Sequence, residues 1–315
     1  MKEVDLFGEE IVLKPIRVNI YADEIQPMSN QITGEQWMYL GATFEIVDKP
    51  ILPEIINQRY LRDRKGWEKY QEKNDRIIHW AEIRSIDQKN ICERWLKNTY
   101  TDSRFYFSVF GINLTNLNIN EFGDSNRFNV IYNRFFRANL AFSLKKFFGR
   151  GVVVENIYHE YGQQENSEYF DWHTIFRLDQ DEHLNFRCSN ITFLPKNHKE
   201  DERSNMIQLT DVYLGVFKDL HLGLSQEVKD GKSFRDHKKF LLEIIEPLLK
   251  RAVENPDNIN SSYKYAKRIN ISLFPKTKSN KGDLERIMNN FYKPKEISLS
   301  YHLQDSPQIS LFDII

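Results

Sequence analysis

The apolar run from Ile16 to Ala22 predicts a strand whose final residue, Asp23, puts a carboxylate at the edge of the sheet. After an irregular stretch around Pro27 to Gly34, the aromatic and β-compatible run Trp37 to Ile46 predicts a second strand. Pro53 to Tyr60 and Asp87 to Leu96 read as helices, and Arg104 to Ile112 as a third strand. Between Arg127 and Phe148 the apolar positions Phe128, Ile131, Phe135, Leu140, Phe142, Leu144 and Phe147 predict one long helix, ended by Gly149-Arg150-Gly151. Gly151 to Glu160 reads as the next strand. A polar helix, a short strand at Asn190 to Leu194 and a polar loop at Lys196 to Arg203 then lead into a helix capped by Ser204 or Asn205, with Asp211 on its opening turns. Alternating strands and helices argue for an α/β fold with a mixed sheet flanked by helices. Beyond Phe234 the pattern is mainly helical, clearest over Asp236 to Arg251 despite Pro247. We place a soft boundary near residue 230, separating a domain at 1–230 from a helical C-terminal extension at 231–315.

Composition narrows the class without naming a chemistry. The two cysteines, Cys92 and Cys188, cannot build a disulfide framework or a thiolate metal site, which points to a reducing compartment. No apolar run approaches a membrane span, and the first residues lack the basic and apolar regions of a signal peptide, so the expected location is cytoplasmic and away from membranes. A net charge of -1 makes no overall case for nucleic acid. Locally the balance differs: from Lys264 to Lys295 nine Lys or Arg face Asp283 and Glu285, a surplus of +7 that suits phosphates or an ordinary solvated surface. No glycine-rich phosphate loop, zinc-spaced Cys/His set or nucleophile elbow is present, which disfavours Walker-type and serine-type hydrolysis.

The candidate chemistry lies in the acids. Asp23 and Glu24 are adjacent, and successive strand side chains face opposite ways, so one of them can point at a site above the strand end; Asp23 is the choice. A strand-end aspartate also caps turns, so its companions decide the matter. On the late helix Gln208, Asp211 and Gly215 share one face. Two carboxylates brought together repel unless cations neutralise them, and magnesium ions so held can serve phosphodiester cleavage. His79 and His159, near neutral pKa, are candidates to orient a water or protonate a leaving oxygen. Lys196, Lys199 and Arg203 precede the late helix and could hold phosphates. Glu155 and Asp171 are rivals to Glu160.

Tyr21-Ala22-Asp23-Glu24, then His79-Trp80-Ala81-Glu82-Ile83-Arg84, then the strand closing on His159-Glu160, then Ile207-Gln208-Leu209-Thr210-Asp211-Val212-Tyr213-Leu214-Gly215 stand in a recognisable order. Together they resemble the bacterial family called domain of unknown function 3800, over about residues 16 to 220. That family typically shows Tyr-Ile-Asp-Glu-Ser-Gly, a Glu-Leu-Lys-Trp-like segment, an acid closing a central strand and an Ile-Gln-Leu-Ala-Asp helix. The chain departs from it at Ile25-Gln26, where Ser-Gly is usual, and at Glu160, where Asp is more usual. The resemblance implies a ribonuclease H-like fold and, by analogy, a Mg2+- or Mn2+-dependent nuclease with Asp23, Glu82, Glu160 and Asp211 as metal ligands and His159 beside them. Its substrate would be DNA or RNA, in phage defence or a mobile element. The alternative is a non-catalytic nucleic-acid- or protein-binding module on the same fold. Separately, Gln308-Ile309-Ser310-Leu311-Phe312 resembles the pentapeptide by which bacterial proteins dock onto the replicative sliding clamp, with Gln308, Leu311 and Phe312 as its anchors.

Overall fold

The computed structural model describes residues 3–4, 10–11, 15–30, 33–61, 75–122, 127–149, 151–162, 165, 170–180, 182, 184–222, 233–254 and 268–275. The clamp-like peptide and most of the basic 264–295 segment lie outside these residues. A small antiparallel ladder, β1 (Glu3–Val4) with β2 (Glu10–Ile11), precedes the main sheet. Among the described residues that sheet is seven-stranded and mixed, in an α/β fold. Its first three strands, β3 (Arg17–Ser29), β4 (Gln36–Ile46) and β5 (Phe105–Asn113), form an antiparallel meander. On the far side of β3 lies β6 (Val153–Glu160), parallel to it, followed by β7 (Asn185–Phe186) and β8 (Ile191–Leu194), which both pair with β6 in parallel. A last strand, β9 (Ile269–Phe274), runs parallel to β5 on the opposite edge.

Period-2 alternation divides the core into two layers. Tyr21, Tyr39, Phe107 and Val109 face α1 (Leu52–Arg59), α2 (Ile86–Thr101), α5 (Ser204–His221) and α6 (Ser233–Glu254). Val18, Ile20, Ala22, Leu40 and Phe110 face α3 (Arg127–Phe148) and α4 (Phe170–Gln180). Among the described residues no helix is long and apolar enough to cross a membrane.

Several local expectations change. β3 does not stop at Asp23: it continues through Ser29, with a bulge between Ile25 and Met28 that takes up Pro27, a residue unable to donate to a ladder. What ends near Asp23 is the pairing to β6, whose last register partner on β3 is Ala22 opposite His159. Neither Ser204 nor Asn205 caps α5. Ser204 donates its hydroxyl to the Pro195 carbonyl at 2.6 Å, while the Asn205 amide binds Arg59 and the Glu202 carbonyl. Residues 269–274, in the stretch read as a helical extension, form a buried edge strand. Helix α1 takes its cap from the sheet, since the buried Glu45 carboxylate accepts the Ile51 and Leu52 amides at 2.9 Å each.

Candidate active site

The carboxyl ends of parallel strands in an open sheet, where successive connections leave in opposite directions, are where such folds gather ligands. Here β3 turns back into β4 while β6 continues toward β8, and both put an acid at that edge: Asp23 and Glu160. Helix α5 crosses the same edge and brings Asp211. It can approach because Gly41, the cross-strand partner of Asp23, has no side chain; a Cβ there would sit 3.1 Å from Leu214. Thr210 anchors the crossing, donating to the Thr43 hydroxyl at 2.8 Å.

Asp23 and Asp211 are both nearly buried, at 5% exposure each. Burial pushes the Asp23 carboxyl well above its usual range, and the nearby charges of Asp211 and then Glu24 push it further; the Glu24 amide, which it accepts at 2.8 Å, and Lys196 act the other way. Asp211 is held by the segment that crosses α5. Its Oδ2 accepts the Trp80 backbone N–H at 2.5 Å and meets His79 Nδ1 at 3.0 Å. The hydrogen bond to Asp211 raises the His79 pKa against an opposing effect of burial.

That segment is fastened along one helix face. Gln208 Oε1 accepts the Ile78 amide at 2.9 Å and the buried Arg59 guanidinium at 2.5 Å. Two turns beyond Gln208, Trp80 packs against Gly215, where a Cβ would come within 2.1 Å of the indole, and its Nε1 donates to Asp219 at 2.8 Å. The glycine thus serves close approach of a ring.

The other predicted residues fall at different distances from this pair. Glu160 is nearly buried and joined to Lys196, Nζ to Oε1 2.5 Å. Glu82 is exposed, in the one-turn helix Trp80–Glu82, and its charge reaches His79. His159 is not brought to the pair: it is fully buried on the α3 side of the sheet, against Phe136, Phe170 and Phe193. There its Nδ1 lies 2.8 Å from the Glu160 carbonyl and its Nε2 2.5 Å from the Tyr132 hydroxyl and 3.4 Å from Glu24. A carbonyl only accepts, so Nδ1 carries a proton and donates. Glu155 lies outside, paired with Arg187 at 2.9 Å and Arg17 at 3.5 Å. The Asp171 side chain is outside the described residues. Of the three basic residues before α5, Lys199 is tied to Asp75 at 2.7 Å and Arg203 to Asp201 at 2.5 Å, leaving Lys196 at the acids.

Among the described residues no three His, Cys, Asp or Glu side chains converge as a ready-made metal cage. No protein-family model matches the chain, and no curated protein matches it.

Proposed function

We propose that the protein is a divalent-metal-dependent phosphodiester hydrolase, a nuclease of ribonuclease H-like fold related to the domain of unknown function 3800 family. An antiparallel three-stranded meander with parallel strands added beside its first strand is the sheet expected of that fold, and the observed strand order supports the reading. One observation carries the functional part: Asp23 and Asp211, 188 positions apart in sequence, are buried close enough for the charge of one to act on the other. Burying two carboxylates together is unfavourable unless a cation or a proton compensates.

The donor set fits magnesium or manganese, which take hard oxygen ligands and commonly bind through one or two carboxylates while substrate phosphates and waters fill the remaining positions. Asp23 and Asp211 would hold the ion, with Glu160 and Glu82 at its border. When bound, such an ion supplies Lewis-acid stabilisation of charge developing on a phosphate. The chain's own residues do the rest. The Trp80 amide and His79 fix the Asp211 carboxylate, the Glu24 amide fixes Asp23, and the apolar layer around Tyr21 and Leu209 keeps bulk water from behind the pair.

Cleavage of a labelled DNA or RNA oligonucleotide by the purified protein in Mg2+ or Mn2+ is the direct test. Asp23→Asn and Asp211→Asn should each lower the rate by at least about 100-fold, the scale of loss when a preorganised electrostatic element is removed. Undiminished cleavage by both folded variants overturns the assignment of these two acids, and wild-type protein that cleaves neither DNA nor RNA in either metal favours a non-catalytic binding module. Docking onto a sliding clamp through Gln308, Leu311 and Phe312 is a separate proposal. There Leu311→Ala with Phe312→Ala should abolish clamp capture while cleavage of a short oligonucleotide persists, and wild-type protein that captures no clamp ends it.

A further inference from the structure

We infer that Lys196 is a built-in counter-ion of the acidic site, holding Glu160 while no metal is bound and yielding that place when a divalent cation enters. The inference rests on the metal-dependent reading above and adds to it a named competitor. Lys196 follows β8 by two residues, so its backbone leaves the sheet at the edge where Asp23 and Glu160 sit. That backbone is fixed, because the Gln208 amide on α5, one turn before Asp211, donates to the Lys196 carbonyl at 2.7 Å. Its side chain is less confined: 52% exposed, it reaches Glu160, whose own side chain is 11% exposed, at 2.5 Å.

The charge of Lys196 also reaches Asp23 and His79, so one ammonium acts on members of the cluster from two strands and from the segment before Trp80. Of the neighbouring cations, Lys199 and Arg203 hold Asp75 and Asp201, and Arg59 is bound to Asn205 and Gln208. Lys238 lies over the Trp80 indole at 5.2 Å and its charge meets Asp219 and Asp211, whereas Lys196 is the ammonium paired with Glu160.

An ammonium and a divalent cation cannot both neutralise the same carboxylates without repelling each other. Entry of the ion would therefore weaken the hold of Glu160 on Lys196. Because the backbone stays anchored at Gln208, the released side chain remains within a stem's length of the site, where a point positive charge can meet a phosphate oxygen.

Manganese binding to the full chain, followed by calorimetry on wild type, Lys196→Met and Lys196→Arg, tests this without reference to turnover. Lys196→Met should bind Mn2+ roughly tenfold more tightly, since a repelling charge a few ångströms away is gone. Lys196→Arg should keep the wild-type affinity. In the metal-free state Lys196→Met should melt below wild type and gain more on adding Mn2+. If wild type binds Mn2+ and Lys196→Met binds it equally or more weakly, the counter-ion role is wrong while the metal site stands. Binding by neither protein overturns both, and binding by Lys196→Met alone shows a metal site that Lys196 blocks, which overturns its yielding role.

Discussion

Asp23 accepts one hydrogen bond from the backbone of its own neighbour, at 2.8 Å, and feels the charges of Asp211 and Glu24. Its folded-state pKa is therefore raised, by burial first and by Asp211 second, and the sign of the pH effect follows. A carboxyl whose pKa is higher in the folded than in the unfolded state favours folding most below the unfolded value, about 3.9, and that contribution is lost as pH rises through the folded value. Acids such as Asp102 and Asp201, whose pKa values are lowered by Arg104 and Arg203, act in the opposite sense at lower pH. The useful quantity is thus the difference between wild type and Asp23→Asn. In metal-free buffer the melting temperature of the variant should equal or exceed that of wild type, with the gap widening as pH increases from 4 toward neutrality. Added Mg2+ should close the gap by stabilising wild type more. A gap that is constant with pH means Asp23 is not strained by its neighbours.

Helix α5 and the segment from Ile78 to Glu82 behave as one joint, and Gly215 is where they touch. In most helix interiors Gly→Ala is stabilising by about 1 kcal/mol. At Gly215 the added methyl would stand 2.1 Å from Trp80, a buried ring pinned at its backbone by Asp211 and at its indole by Asp219, so it cannot simply slide. We predict the reverse sign, a loss of roughly 1–3 kcal/mol from overpacking, read by urea unfolding, with a shift in tryptophan emission as the indole moves. Stabilisation by Gly215→Ala would mean that the contact is looser than described. This joint also marks how far the sequence could be read. That Asp23 would lie on a strand and Asp211 on a helix was legible from the apolar runs around them. The fixing of Asp211 by Trp80 and His79 was not, since it spans 131 and 132 positions and depends on where the loop lies. Alternation along β6 puts His159 and Glu160 on opposite faces, yet only the order of strands reveals that one meets Tyr132 while the other meets Lys196. The strand Ile269 to Phe274 was hidden by the basic residues around it, which drew the reading toward a phosphate-binding surface.

At the scale of the molecule, the stretch after residue 230 completes the sheet as well as extending the chain. Strand β9 pairs with the otherwise open side of β5, and Ile269, Ile271 and Leu273 join Leu241, Leu242 and Ile245 of α6 in the same core layer as Trp95 and Phe107. On the other face Asn270, fully buried, donates to the Ser108 and Ser143 hydroxyls at 3.4 Å and accepts from Lys146 at 3.1 Å, so β9 is also tied to α3. Burying an aliphatic side chain of this size contributes about 1.5–3 kcal/mol, so the six together rival the roughly 5–15 kcal/mol by which a whole domain is stable. A chain ending at residue 230 would bare that apolar surface, leave Ser108 and Ser143 without Asn270, and open the β5 edge to pairing with other chains. We expect it to aggregate or to lack a cooperative thermal transition. The full chain should unfold in one transition, followed by hydrogen exchange of amides in β5 and α6 under increasing denaturant. Should the shortened chain prove soluble and unfold cooperatively near the temperature of the full chain, the α6 and β9 region would instead be a separable addition, and the carboxylate site would be supported by residues before 230 alone.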